Sequence, residues 1–223
     1  MFKSFFPNPK WFFLSVIAYS AACIFTWYFF NEQIGKFVGL NLEPSEPVIG
    51  LGHFVTDSFL LFYGYYVVCV ALFSVFWFRV SRHPWKWWSI TGSAVILFST
   101  YFSVQVSVAI NNWRRPFFDL VQNALGTPES DTSQDGVSER SAEVIASYTE
   151  QLFELIFIFA EIAFIAIVVG VGTRFFVSHF IFRWRTAMND YYTKQWERVR
   201  HIEGASQRVQ EDTMRFSEIM ENL

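Results

Sequence analysis

The sequence predicts an all-α polytopic membrane protein with about four transmembrane helices and an amphipathic helical extension. Three observations carry that expectation. Of 223 residues, 52% are hydrophobic and 21% aromatic, with Phe alone contributing 28. A water-soluble fold would need a very large core to hide so much aromatic surface. Apolar runs long enough to cross a bilayer recur without a single charge, and the basic residues collect on one alternate set of connecting segments.

Each span follows from its run. Trp11 to Asn31 carries no charged residue, and at ~1.5 Å per residue it crosses a ~30 Å hydrocarbon core. Lys3 and Lys10 precede it, and Ser20–Cys23 resembles a lipoprotein cleavage site. Cys23 is followed by more apolar sequence, so the run reads as a retained anchor. The second span, about 58–78, lies between Asp57 and Arg79, and the third, about 87–113, is long enough to tilt or project. The fourth, about 151–182, carries Glu154 and Glu161 and continues beyond Arg174 as one long helix that leaves the membrane.

With the N-terminus inside, thirteen of the 17 Lys and Arg residues fall on one side, leaving Lys36, Arg114, Arg115 and Arg140 on the other. The positive-inside rule then gives a cytoplasmic N-terminus, four crossings and a cytoplasmic segment 184–223. Seven tryptophans (Trp11, Trp27, Trp77, Trp85, Trp87, Trp88 and Trp113) fall near the span ends, where an aromatic belt belongs. The outer stretch 126–150 is polar and acidic, with a short helix expected from Ser138. It reads as a solvated linker or as a lure for cationic peptides.

The segment 184–223 has a different pattern. Trp184, Met188, Tyr191, Gln195, Val199 and Ile202 recur at helical spacing, and after Gly204 the stripe resumes at Val209, Phe216 and Met220. A reversal near Gly204 is expected, since Gly-Ala-Ser is turn-prone. Arg208/Asp212 and Glu211/Arg215 stand at i,i+4, the spacing of helix-face ion pairs.

Chemistry inside the spans is sparse. Ser99, Ser103 and Ser107 share a helix face, a pattern for close helix packing or for a cavity lining. Glu161 sits well inside the fourth span, where a carboxylate costs ~2.5–3.5 kcal/mol or more, so it is a functional candidate. Cys23 and Cys69 read as small buried hydrophobes. Gly170 and Gly172 read as a close-packing site. There is no phosphate-cradling GxxxxGK[ST] run, no metal-ligand spacing and no nucleophile–base set. No cofactor, no enzyme activity and no nucleic-acid partner is expected.

Several runs carry a family likeness. FFVSHFIFRWRTAMNDYY and RHIEGASQRVQEDTMRF, with MFKSFFPNPKWFFLS, HPWKWWSITGSAVILF and NNWRRPFFDLVQ in the same order, resemble the SbmA/BacA family of bacterial inner-membrane peptide transporters. The likeness weakens only near 31–56 and 126–150, and at Glu161, where relatives carry a small residue. A more distant similarity joins the WR…Y…QR..ED..F pattern to the membrane halves of peroxisomal-type ABC transporters.

The resemblance implies half of an ABC-exporter-like transmembrane domain. It also implies proton-coupled import of varied peptides, including antimicrobial peptides and bleomycin-like glycopeptides, by a homodimer. From sequence pattern alone Glu203 and Glu211 are solvated helix-face charges. The resemblance makes them proton-relay candidates, because the family is described as proton-driven with glutamates lining its cavity; Arg208 is then their ion-pair partner. Relatives continue with further membrane helices, so this chain corresponds to their N-terminal half and is expected to be truncated. Two other readings remain: the membrane subunit of an ABC transporter with a separate ATPase, and a non-transporting membrane fragment.

The charge bias generates a direct test. Reporter fusions should place 31–56 and 114–150 outside and 79–86 and 184–223 inside, and a periplasmic signal from a fusion at residue 200 would overturn the assignment.

Overall fold

The computed structural model describes residues 1–40, 47–126 and 137–221. The core of the acidic stretch, 127–136, lies outside the described residues, as do 41–46 and 222–223. All regular structure among the described residues is helical: α1 (Phe2–Phe5), α2 (Pro9–Val38), a 3₁₀ turn (Leu51–Val55), α3 (Asp57–Val80), a π turn (Trp88–Gly92), α4 (Ser93–Gly126), α5 (Val137–Lys194), α6 (Trp196–Val199) and α7 (Ala205–Glu221). Four helical stretches among them are long and apolar enough to cross a membrane: Pro9–Val38, Asp57–Val80, Trp88–Leu125 and Val144–Lys194. At most 11% of the apolar window of any one is buried within the chain, so their sides are left for hydrocarbon to cover.

The helices outrun the apolar stretches that announce them. A charge ends the membrane segment, yet it does not end a helix, because Lys, Arg and Glu are good helix formers. Thus α2 continues past Asn31 to Val38 and stops where Gly39 adopts φ 82°. There the Leu40 N–H bonds Gly35 O at 2.9 Å and the Gly39 N–H bonds Lys36 O at 3.3 Å, a Schellman stop. At the other end of α2, Pro9 occupies the first turn, where its missing N–H costs nothing. The C-terminus of α3 is closed by Lys86, whose ammonium donates to Phe78 O at 2.9 Å and Ser81 O at 3.2 Å. A cation there satisfies orphan carbonyls and complements the helix dipole. α5 is the extreme case, with 58 residues spanning about 87 Å at ~1.5 Å each. The helix expected to begin near Ser138 is therefore not short; it is the start of α5.

Two compact units emerge. The first comprises 1–42, 60–100 and 171–223. Its core joins Phe5, Phe6, Phe12, Trp77, Ile90, Phe180, Trp184, Ala187 and Met188, with Phe216 and Met220 packed against it. The Phe5 ring stacks on Trp184 with centroids 5.3 Å apart and meets Phe180 edge-on at 5.2 Å. Trp184 in turn meets Phe216 at 4.8 Å. α1, α2, α3, α5 and α7 are thereby tied through one set of rings. The helix expected to run to about residue 200 ends at Lys194, followed by the single turn α6. The chain then turns through Gly204, φ 75°, and α7 runs back along α5.

The second unit comprises 43–59 and 101–170. Here Phe54, Val106, Ala109 and Ile162 form the core. Phe54 stacks on Phe102 at 5.2 Å, and the Trp113 indole N–H donates to Leu155 O at 2.7 Å, fastening α4 to α5. Gly50, at φ 85°, lets the 3₁₀ turn approach α5 closely, since a Cβ there would lie 3.3 Å from Ile158.

Three sequence expectations need correction. Gly170 and Gly172 make no close helix packing, because nothing lies within 4 Å of where a Cβ would stand. Ser107 does not bridge helices; it is exposed and donates to Ser103 O of its own helix at 3.2 Å. Cys23 and Cys69 are half-buried rather than buried. In each case lipid-facing surface is available to a small residue, so smallness alone does not imply a protein neighbour.

The tight place is elsewhere. A Cβ on Gly92 would lie 2.7 Å from two carbons of the Phe180 ring, itself wedged between Phe5 and Trp184. Gly92→Ala should destabilise by ~1–3 kcal/mol through overpacking, and Trp184→Ala by ~3–5 kcal/mol through cavity formation. Both should lower the midpoint of thermal unfolding in detergent, and an unchanged midpoint would show that the ring cluster does not hold the helices.

Candidate functional site

The carboxyl-terminal return creates a partly polar recess in the first unit. On α7 the side toward α5 bears Val209, Thr213, Phe216 and Met220. On α5 the matching stretch bears Arg185, Thr186, Asn189 and Thr193 at helical spacing. Together with Ser206 and Gln210 they line a groove of about 680 Å³. Thr213 is buried there, its hydroxyl donating back to Val209 O at 2.9 Å. Beside the apolar surfaces of Phe182, Tyr192, Trp196 and Val209, its polar groups are amides and hydroxyls with a single guanidinium and no carboxylate. Such a surface hydrogen-bonds neutral polar groups or an anion, and it offers no proton acceptor in the carboxylate range. The sequence signal was the polar repeat 185/189/193 beside the apolar stripe, and its meaning depends on α7 lying opposite.

The carboxylates singled out from sequence stand apart from this groove. Glu211 is exposed on another side of α7 and accepts from the Gln207 side-chain amide at 3.2 Å. Glu203 is exposed in the turn before Gly204, and Arg208 is exposed in the first turn of α7. Arg208 makes no ion pair with Glu203, Glu211 or Asp212 among the described residues, so the pairing expected for it is absent. Long exposed side chains gain little from holding one geometry in water, which removes the drive to pair. Glu161 is exposed on α5 within the second unit. Among the described residues no group of three or more His, Cys, Asp or Glu could hold a metal ion.

Two histidines in connecting segments, which carry no metal-ligand spacing in the sequence, gain contacts in the fold. His83, in the linker between α3 and the π turn, holds the N-terminal segment. Its Nε2–H donates to Lys3 O at 3.3 Å, while Nδ1 accepts the Trp85 N–H, also at 3.3 Å. That pair of bonds requires the neutral ring with its proton on Nε2. Burial pushes this imidazole below its ordinary value of 6.5, opposed by the bond to Lys3. His53, in the 3₁₀ turn, is likewise pushed down by burial, with Gln105 opposing. Its Nε2 is buried without a hydrogen-bond partner among the described residues.

Around the π turn, Arg183 lies over the Trp88 ring at 5.2 Å and donates to His179 Nε2 at 3.3 Å. These residues sit where α5 leaves its most apolar stretch, and a guanidinium on an aromatic face is a stable place for charge at such a boundary.

Four lipid-exposed helices of membrane length, with an amphipathic return helix packed on the last, define a polytopic α-helical membrane protein. The model of the SbmA/BacA-like family matches residues 82–223, and the chain belongs to that family. Its members are membrane transporters rather than enzymes. The match covers the third and fourth spans, the groove and both Glu203 and Glu211, as the runs FRWRTAMND and RVQEDTMRF implied.

The His83 geometry sets a pH dependence. Well above pH 6.5 the ring is neutral both folded and unfolded, and the two bonds stand. Below 6.5 the unfolded chain binds the proton first, so stability falls with falling pH until the folded ring protonates too. A protonated Nδ1 also opposes the Trp85 N–H, close to Lys3, Arg82 and Lys86. Thermal unfolding in detergent should show a loss on acidification through this window, and His83→Gln should shrink it. An identical pH profile in the variant would remove His83 from the account.

Proposed function

We propose that the chain acts in proton-coupled import of peptides across the inner membrane of a bacterium, as part of a homodimeric transporter with its N-terminus in the cytoplasm. The observation that carries this reading is the family match over 82–223, which includes α7 with its neighbouring turn. The charge bias supports the orientation, placing α7 and the groove at the cytoplasmic mouth. The exposure of Glu203 and Glu211 supports a relay that is open to water, where each carboxylate can take and release a proton without being held by an ion pair. Antimicrobial peptides and bleomycin-like glycopeptides are the substrates proposed.

The test uses cells lacking any homologue, with the chain expressed alone and joined to the C-terminal half of a full-length relative. The joined form should accumulate a fluorescent proline-rich peptide, lose that uptake with a protonophore and keep it with vanadate. Glu203→Gln and Glu211→Gln should each lower uptake several-fold at unchanged membrane expression, because Gln keeps the shape but carries no proton. Vanadate-sensitive uptake would point to an ABC-type ATPase partner, and full uptake in both Gln variants would reduce these carboxylates to ordinary surface charge.

A further inference from the structure

Within the first unit, the membrane-spanning parts of α2 and α3 and the start of α4 leave an open groove of about 430 Å³. It extends from Phe6 and Phe12 to Trp27 and Phe62, about 22 Å along α2 at ~1.5 Å per residue. Its walls are mostly rings and aliphatic side chains, with Ser20, Ser93, Cys23 and Cys69 among them, and Ser93 donates within its own helix to Ser89 O at 2.7 Å. The tyrosine hydroxyls have been withdrawn from it. Tyr19 donates to Cys69 O at 2.9 Å, Tyr65 to Cys23 O at 2.8 Å and Tyr66 to Ala94 O at 2.7 Å. These bonds link the three helices and leave the tyrosine rings, not their oxygens, as lining.

We propose that this groove holds one acyl chain of a bilayer phospholipid. The volume falls in the ~300–1,000 Å³ range of small-ligand sites. A helix of ~22 Å length at ~10–12 Å across occupies roughly 1,700 Å³ or more, so it would insert only a row of side chains and leave most of its bulk outside. A flexible rod of methylenes, one side chain wide, does fit. Water is a poor occupant because the tyrosine and Ser93 hydroxyls are already bonded, and Ser20 does not supply the two to four polar partners a buried water needs. The groove opens at the depth of hydrocarbon, where phospholipid tails are the solvent. At one end its walls, Phe6 and Phe12, are flanked in sequence by Lys3 and Lys10, and Lys10 is exposed. Ammonium groups at that end suit an anionic headgroup phosphate, so the site takes an anionic phospholipid by both ends.

Cys23 and Cys69 line the groove and are the only two cysteines of the chain, which makes them reporters without background. The experiment measures the rate at which a membrane-permeant maleimide labels them in the full chain. The chain is reconstituted in vesicles of palmitoyl phosphatidylglycerol or of phytanoyl phosphatidylglycerol. The headgroup is the same, but methyl branches keep the phytanoyl chain out of so narrow a slot. Labelling should be several-fold slower in the palmitoyl vesicles. Ala94→Trp, which fills the groove, should make the two rates equal. Since that variant can misfold, native mass spectrometry of the wild-type chain gives a second reading, with one phosphatidylglycerol retained after detergent exchange. Equal wild-type rates in both lipids would overturn the proposal. Protection that follows protein density rather than chain type would overturn it in favour of a second copy.

Discussion

Everything in the first unit hangs on the stack of rings that begins at Phe5 and passes through Trp184 to Phe216. Inside a membrane, burying an apolar side chain against another gains little, because lipid tails are as apolar as Leu. Helices there must be held by shape, by hydrogen bonds or by something at the bilayer edge. This chain uses the edge. Phe5, Phe6, Phe12 and Trp77 come from one end of the sequence and Phe180, Trp184 and Phe216 from the other. They meet where the chain turns between spans, with the π turn and the Lys86 cap closing the third side. Aromatic faces and edges provide direction as well as area, so the contact fixes angle along with distance.

Within the spans the fastening is sparser and more local. Tyr19, Tyr65 and Tyr66 each reach across to a backbone carbonyl of another helix, and Trp77 donates to Ser15 Oγ at 3.1 Å. A helical carbonyl has a second lone pair free, so these bonds add to the helix without breaking it. The same device leaves apolar walls behind it, which is why a groove rather than a packed seam separates these helices. Trp113, bonding Leu155 O, repeats the device in the second unit.

What was legible in the sequence was whatever one helix decides by itself. Uncharged runs announced three crossings, because an unpaired charge in hydrocarbon is expensive whatever its neighbours are, and the long apolar run around Glu161 announced the fourth. Gly204 announced a turn, because φ 75° is easy only for Gly. The break at Gln195 was invisible: its φ of −98° and ψ of 6° are open to any residue, and no Gly or Pro marks it. The groove beside Asn189 and Gln210 was invisible for another reason. Helical spacing says which residues share a face, and it does not say which helix will lie opposite. The apolar stripe Val209, Phe216, Met220 already implied that Glu211 would point elsewhere, and i,i+4 charges on an exposed face have little reason to keep an ion pair. Ser107 and the Gly170–Gly172 pair failed similarly, since small residues permit packing without requiring it.

The ring stack joins residues far apart in the chain, and that has a bearing on how the protein is made. Phe5 leaves the ribosome about 179 residues before Trp184, which at ~5–20 residues per second is a wait of roughly 10–35 s. During that interval Phe2, Phe5 and Phe6 have Phe12 and Phe13 beside them but lack Phe180 and Trp184, while α2 and α3 are already entering the bilayer. An amphipathic N-terminal stub that must wait so long needs a temporary berth at the lipid surface or on the insertion machinery. Biogenesis, rather than the finished fold, is then the stage most exposed to any change in MFKSFFP.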